Sequence, residues 1–385
     1  MNNFKIRNLI MYSKDYKPIS IIESKNKNSK KNILGFKIIK IFYLIVCLIL
    51  SFLLLIINNK KNLFEIYLFK KNEINIEFIN YLKIILKQDE LIENEMMDKH
   101  TTFKIGGPAK FFVKPKTINQ IIRIIQLCNK FKVNYFILGN GSNILVSDSG
   151  YFGVVILIHE NNFSHLEVIK QDENIYFLKV GGGMLMKTLS IEACLLSLTG
   201  LEDIIDIPGT IGGGIIMNAS FKSSGIKNVL EKVKVISPEG TIMYLNEKEC
   251  NLTQRGSLLK DKKYLIIEAI FKLKKGDKMV IQKTMTDNTK IRYEKQPMYF
   301  GSAGCFFIWN HGKYGSMYEK YKECNLVSYR VGNAMVYTYN IAFIVNLGNS
   351  KAIEVMEIVK HIEKIIKEKY DIEIKREVIV IGSFL

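Results

Sequence analysis

The sequence predicts an α+β fold. Short apolar runs of strand length alternate with amphipathic stretches of helix length, and their spacing does not follow a regular βαβ repeat. No internal repeat imposes a solenoid or propeller. A chain of 385 residues suggests two or three domains. With 48% hydrophobic residues it can build large cores, which excludes disorder over most of its length.

The first 75 residues stand apart. They hold 14 Lys/Arg against 4 Asp/Glu, a net of +10 out of the +18 for the whole chain. Within them, 41–57 reads IFYLIVCLILSFLLLII, seventeen residues without a charge, followed closely by Lys60 and Lys61. That length suits a single hydrophobic helix anchoring the chain to a membrane, with a targeting presequence as the alternative. Lysines flank both ends, so charge does not orient it. More than half of the basic excess is concentrated in this extension, which argues against nucleic acid as a partner.

From about residue 76 the folded body begins. Thr117–Phe131 places Ile118, Ile121, Ile122, Ile125 and Cys128 at helical spacing. Val133–Leu138 and Val154–Leu157 read as buried strands on either side of a glycine-rich turn. Met186–Leu198 reads as a helix stopped by Thr199-Gly200. Lys232–Ser237, Met243–Leu245 and Leu265–Leu273 read as strands, Lys351–Tyr370 as an amphipathic helix, and Glu377–Ile381 as a closing strand.

Cys47, Cys128, Cys194, Cys250, Cys305 and Cys324 are scattered, without zinc-knuckle spacing, and a chain with its own core needs no disulfide framework. The five histidines show no metal spacing either, so no metal site is expected. Both patterns suit a reducing, cytoplasmic setting for the body.

Four glycine-rich segments crowd into fewer than 120 residues: FKIGGPAKF (103–111), LGNGSNILVSD (138–148), VGGGM (180–184) and DIPGTIGGGIIMNAS (206–220). Glycine allows close backbone approach, and successive turn amides form an anion-holding nest. The segments together point to one phosphate-bearing ligand. None matches the P-loop pattern, and no G-x-G-x-x-G opens a helix after the first strand. A dinucleotide or long nucleotide cofactor wrapped by several loops remains.

The blocks HTTFKIGGPAKFFV, LGNGSNILVSD, GLEDIIDIPGTIGGGIIMNAS, KQPMYFGSAGCFF, FIVNLGN and REVIVIG, in this order, resemble the UDP-N-acetylenolpyruvoylglucosamine reductase (MurB) family over about residues 80–384. The short spacing from SAGC to REV resembles its compact, type II form. The resemblance implies a two-lobed FAD-binding domain of the vanillyl-alcohol-oxidase type over 76–275, with lobes at about 76–148 and 149–275. A smaller α/β substrate-binding domain follows over 276–385. It implies FAD as cofactor, NADPH as reductant and a UDP-sugar carrying an enolpyruvyl ether as substrate, handled by a monomer. By the same resemblance, Gly106, Gly107, Gly139, Asn140, Gly141, Ser142, Asn143, Gly182, Pro208, Gly209, Thr210, Gly212, Gly213 and Asn218 bind the cofactor.

Three residues match the family's catalytic positions. Arg255 is the active-site arginine, whose guanidinium holds a carboxylate through two bonds. Glu377 is the C-terminal glutamate, able to share a proton with the substrate. Cys305 stands where a serine usually protonates the substrate carbon, and nearby cations are expected to lower its pKa. Ser257, Lys295 and Gln296 fall at substrate-binding positions. Gln254, Ile308, Trp309, Asn310, Tyr339 and Asn340 depart from the pattern, and Asp206 replaces a glycine before IPGT. These departures leave open a flavin-binding protein of the same fold with altered substrate or lost catalysis. A different FAD-linked oxidase is disfavoured by the SAGCFF and REVIVIG blocks.

Overall fold

The computed structural model describes residues 76–222 and 224–384, and the 41–57 segment lies outside them. Among the described residues no helix is long and apolar enough to cross a membrane.

Helix α1 (Ile76–Ile85) leads into strands β1 (Leu91–Met96) and β2 (Pro108–Val113). Helix α2 (Ile118–Phe131) starts where the sequence signals it. Thr117 accepts from the Gln120 amide at 3.2 Å, and the Gln120 side chain accepts from the Thr117 amide at 3.1 Å, a reciprocal capping box. Strands β3 (Tyr135–Leu138), β4 (Ile144–Val146) and β5 (Tyr151–Leu157) follow. The first sheet runs β1-β2-β5-β3, with β5 parallel to both its neighbours. Both neighbours of β5 in this sheet, β2 and β3, precede residue 148.

The second sheet is built on β6 (Leu166–Asp172), β7 (Ile175–Gly181), β8 (Leu230–Ile236), β9 (Ile242–Asn246) and β10 (Leu265–Lys275), in the order β9-β8-β10-β7-β6. Strand β10 alternates in burial through its second half, which places Ala269, Phe271 and Leu273 inward. Helices α3 (Met186–Leu195) and α4 (Ile211–Ile216) cover that inner face and share its core of Leu178, Leu189, Ile211, Ile215 and Phe271. Helix α3 stops earlier than the sequence suggests. Ser197 adopts a left-handed φ of 57°, and Leu198–Thr199 becomes a short strand on the end of β10.

Helix α5 (Lys278–Lys295) leads out of this sheet. A third sheet, β11-β15-β14-β13, comprises β11 (Gly301–Cys305), β13 (Arg330–Val331), β14 (Ala334–Val336) and β15 (Phe343–Asn346). Helix α6 (Ala352–Tyr370) buries Val355, Ile358, Val359, Ile362 and Ile366 in its core. The expected closing strand is two pieces. Strand β16 (Lys375–Arg376) pairs with β12 (Phe307–Ile308), and β17 (Ile379–Ile381) pairs in parallel with β4 inside the glycine-rich turn of the first lobe. Glu377 falls in the break between them rather than within a strand. The chain's end thus stitches the last domain to the first lobe.

Candidate active site

The LGNGSN turn answers the question of where its backbone amides go. Those of Asn140, Gly141, Ser142 and Asn143 donate to no acceptor among the described residues, while the side chains fix the loop from outside. Ser142 Oγ donates to the Pro208 carbonyl at 2.6 Å, and the Asn140 amide oxygen meets His159 Nε2 at 3.2 Å. Gly141 has φ 61°, and a Cβ there would collide with the His100 carbonyl. The loop at 208–213 lies alongside, since a Cβ on Gly139 would overlap the Thr210 hydroxyl. A run of free amides beside a second glycine loop is the shape of an anion nest.

The other two segments are spent differently. Gly181, Gly182 and Gly183 donate their amides to the carbonyls of His165, Ile267 and Phe163, and Gly212 donates to Gly182. Gly107 donates to Ser147, and its missing Cβ makes room for the Asp148 backbone. Gly106 packs against Val146 and Met97. Backbone packing thus requires glycine at Gly107 and Gly182, and the amides of Gly107, Gly182 and Gly212 are spent within the fold. Gly209 and Thr210 sit on the open loop, with the Thr210 hydroxyl accepting from the Gly213 amide at 3.3 Å. Gly213 is exposed, and a methyl group there would find nothing closer than 3.5 Å. The fold does not demand glycine at that position, whereas a ligand lying on the helix would. Asn218 donates to the Thr253 carbonyl at 2.9 Å, and its Oδ1 is buried without a partner. These open donors, the uncrowded glycine and the orphaned acceptor fit a polar cofactor such as FAD.

Asn143 joins this loop to the candidate catalytic residues. Its side chain donates to the Glu377 carbonyl at 3.2 Å, and its carbonyl accepts from the Ile379 amide at 3.0 Å. The Glu377 amide in turn donates to Phe306, next to Cys305. Across from it, Thr253–Gly256 forms a tight hairpin with Arg255 at φ 59°, a left-handed conformation unfavourable for a side-chain-bearing residue. That turn aims Arg255 Nε at Glu377 Oε1, 3.2 Å away.

The Cys305 thiol is half-buried, and burial pushes it up to about 11, helped by the Glu377 charge and opposed by Arg255 and Arg292. The expected lowering does not occur because desolvation outweighs the two guanidinium groups. Glu377 is also raised above its ordinary value, chiefly by burial, with Arg255 and Lys260 acting in the opposite direction.

Ser257 has its hydroxyl engaged within the fold. It is buried, caps the short helix Leu258–Asp261 by accepting from Lys260, and donates to the Ile216 carbonyl at 2.8 Å. Its hydroxyl supports the turn that carries Arg255. Lys295 ends α5 with its side chain exposed, and its carbonyl accepts from Asn340 at 2.9 Å. Gln296 is half-buried just beyond, its amide bonded to Arg292. Two departures from the family pattern also serve the fold. Trp309 is buried with Nε1 donating to the Gly315 carbonyl at 2.9 Å, and Asn310 caps the helical turn at 311–314. Arg292, absent from the sequence-based set, is a buried cation beside this site. It was hidden because a single arginine on a helix rich in Lys, Gln and Thr gives no pattern. Among the described residues, no His, Cys, Asp and Glu side chains gather into a metal-binding group.

The residues 109–246 match a family model described as an FAD binding domain. The residues 296–381 match the C-terminal domain of UDP-N-acetylenolpyruvoylglucosamine reductase. A UDP-N-acetylenolpyruvoylglucosamine reductase of Lachnoclostridium phytofermentans is 34% identical over 309 residues, covering 80% of this chain and 98% of its own. The chain belongs to the UDP-N-acetylenolpyruvoylglucosamine reductase family. A reductase of the same name from Alkaliphilus metalliredigens is 36% identical over 299 residues, with 78% of this chain and 96% of its own covered. The crystal structure of UDP-N-acetylenolpyruvylglucosamine reductase (MurB) from Thermus caldophilus superposes with a TM-score of 0.63 at 29% identity, covering 76% of this chain and 98% of that one. Membership of this oxidoreductase family brings the FAD-binding fold and the reductase C-terminal domain together in one chain.

Proposed function

We propose that this protein reduces UDP-N-acetylglucosamine enolpyruvate to UDP-N-acetylmuramate in peptidoglycan precursor synthesis, with FAD as resident cofactor and NADPH as reductant. The observation that carries this reading is the Arg255–Glu377 pair beside the Cys305 thiol, tied through Asn143 to a loop of unpaired amides. The main-chain amides of 140–143, with the 208–210 loop, would hold the FAD diphosphate, and Gly213 would leave room for the cofactor. FAD, when bound, supplies the chemistry that carries reducing equivalents from NADPH to the substrate.

The chain's own residues do the remainder. Arg255 holds the enolpyruvyl carboxylate and stabilises negative charge that develops on it. Saturating the carbon–carbon double bond also takes one proton at the carbon bearing that carboxylate. Cys305 holds that proton on Sγ, because a thiol raised to about 11 is protonated at neutral pH. After donation the thiolate faces the charges of Arg255 and Arg292. Glu377 orients Arg255 through their ion pair and, as a carboxyl group beside the reacting centre, would share a proton with the substrate oxygen. By the family resemblance, Lys295 and Gln296 would contact the substrate.

The test is spectroscopic. The full chain is purified with its flavin, titrated anaerobically with NADPH and then given the enolpyruvyl sugar nucleotide. Loss of the flavin absorbance followed by its return supports the reading. Loss without return assigns the protein to an altered substrate. A colourless protein that does not take up FAD removes the reading altogether.

A further inference from the structure

Arg292 is out of place for a helix side chain. It lies in the last turn of α5, 5% exposed, with its guanidinium carbon 5.5 Å from the centre of the Phe221 ring. Its Nε is buried without an acceptor, and no carboxylate of the described residues lies within ion-pair distance. A buried cation without a hydrogen-bonded partner is costly unless something else supplies the acceptor. Arg255 differs, because Glu377 already pairs with it.

Among the described residues, the carboxylate whose charge acts on Arg292 is that of Asp206. Asp206 accepts the left-handed φ of 57° at this position. Lys187 Nζ lies 2.7 Å from its Oδ1, and Thr289 Oγ1 donates to its Oδ2 at 2.6 Å. Burial pushes its carboxyl up, but Lys187, Thr289 and the Arg292 charge together hold it below the usual carboxylate range. Thr289 and Arg292 are three residues apart on α5, so they share one face of the helix. Both Asp206 oxygens are thus occupied, and it acts on Arg292 through space while leaving the guanidinium donors unused. On its other side Arg292 acts on Cys305.

We propose that Arg292 is a second anion-binding residue of the site, and that Asp206 is a positioning residue that, through its bond to Thr289, holds the face of α5 that carries Arg292. The ligand is a carboxylate or a diphosphate, both of which accept parallel N–H donors from a guanidinium and both of which the sugar nucleotide carries. Phe221 covers one flat face of the cation, so the anion approaches in its plane. The inference rests on the proposed reductase reading and deepens it.

The experiment uses the full chain with FAD. Turnover of the enolpyruvyl sugar nucleotide gives KM and kcat. Binding of UDP-N-acetylglucosamine, which has the diphosphate but no carboxylate, is followed through the flavin band. Arg292→Gln raises KM about tenfold or more, Arg292→Lys recovers part of the loss, and Asp206→Asn raises KM more than it lowers kcat. Weakened binding of both ligands assigns the diphosphate as the anion, and weakened binding of the enolpyruvyl form alone assigns the carboxylate. An active wild type whose KM is unmoved by Arg292→Gln overturns the inference and leaves the reductase reading intact. An inactive wild type overturns the reading, and the inference with it. Should Arg292→Gln lose its flavin, Arg292→Lys decides: a raised KM supports the assignment and an unchanged KM overturns it.

Discussion

Asn143 donates its side-chain amide to the Glu377 carbonyl at 3.2 Å, across 234 residues of chain. One end of the contact belongs to the loop with unpaired amides, the other to the backbone of the residue whose carboxylate pairs with Arg255. The β4–β17 pairing on either side makes the link stiff. Flavin retention and turnover are therefore coupled through this contact. Asn143→Ala should lower stability by about 1 kcal/mol through the lost hydrogen bond. It should also weaken FAD retention and turnover together, measured as flavin absorbance per protein and as rate per flavin. Full flavin content with normal turnover would separate the two sites.

Arg255 sits where a glycine would be comfortable. A left-handed φ costs a side-chain-bearing residue about 1–2 kcal/mol, and the hairpin at 253–256 bears that strain to aim the guanidinium. Arg255→Gly alone would leave Glu377 without its ion-pair partner, so the relief is read in a Glu377→Gln background. There, Arg255→Gly should raise stability by about 1 kcal/mol while turnover stays abolished. Thermal unfolding checks this, and a fall in stability would show that the turn carries no strain.

Ser257 tests the support of that hairpin. Its hydroxyl caps a helical turn and bonds the Ile216 carbonyl, so Ser257→Ala should destabilise by about 1–2 kcal/mol. Turnover should fall because Arg255 loses its aim, and a raised substrate concentration should recover only part of it. Recovery of the full rate at saturation would point instead to direct substrate contact.

Cys305 carries a pH dependence whose sign follows from its raised pKa of about 11. The protonated thiol is the donating form, present in full at neutral pH and lost as pH rises through that value. Alkylation needs the thiolate, so reaction with iodoacetamide should be slow at pH 7.5 and rise about tenfold per pH unit. Cys305→Ala should slow the step that consumes the sugar nucleotide more than the step that consumes NADPH. Rapid alkylation at neutral pH would mean that the guanidinium groups outweigh burial after all.

The order of glycine blocks made the FAD-binding fold and the reductase family legible in the sequence, and so did Arg255, Cys305 and Glu377. What the blocks did not carry was the use of each amide. Gly182 and Gly141 look alike in the sequence. In the fold, the Gly182 amide goes to the Ile267 carbonyl, while Gly141 donates to nothing among the described residues. That difference depends on which strand passes beside each loop, and so on long-range pairing. The thiol's raised pKa was hidden for a related reason. Burial is a property of the packed state, and the neighbouring charges are visible only once α5 and the 253–256 hairpin face Cys305. Arg292 was missed because only the fold shows that its acceptor is absent.

Gly213 and Gly141 make the closing comparison. At Gly141 the backbone requires glycine, so Gly141→Ala should disturb folding itself. At Gly213 the backbone is helical, the site is exposed and a methyl group has space. Alanine there should stabilise the apoprotein by about 0.5–1 kcal/mol, as it does within a helix. If the cofactor lies on that surface, the same methyl group displaces it, and FAD affinity should fall as stability of the apoprotein rises. Unfolding of the apoprotein and titration with FAD measure the two effects separately. A Gly213→Ala variant that is both more stable and fully able to bind FAD would place the cofactor elsewhere, and with it the role of the 208–213 loop.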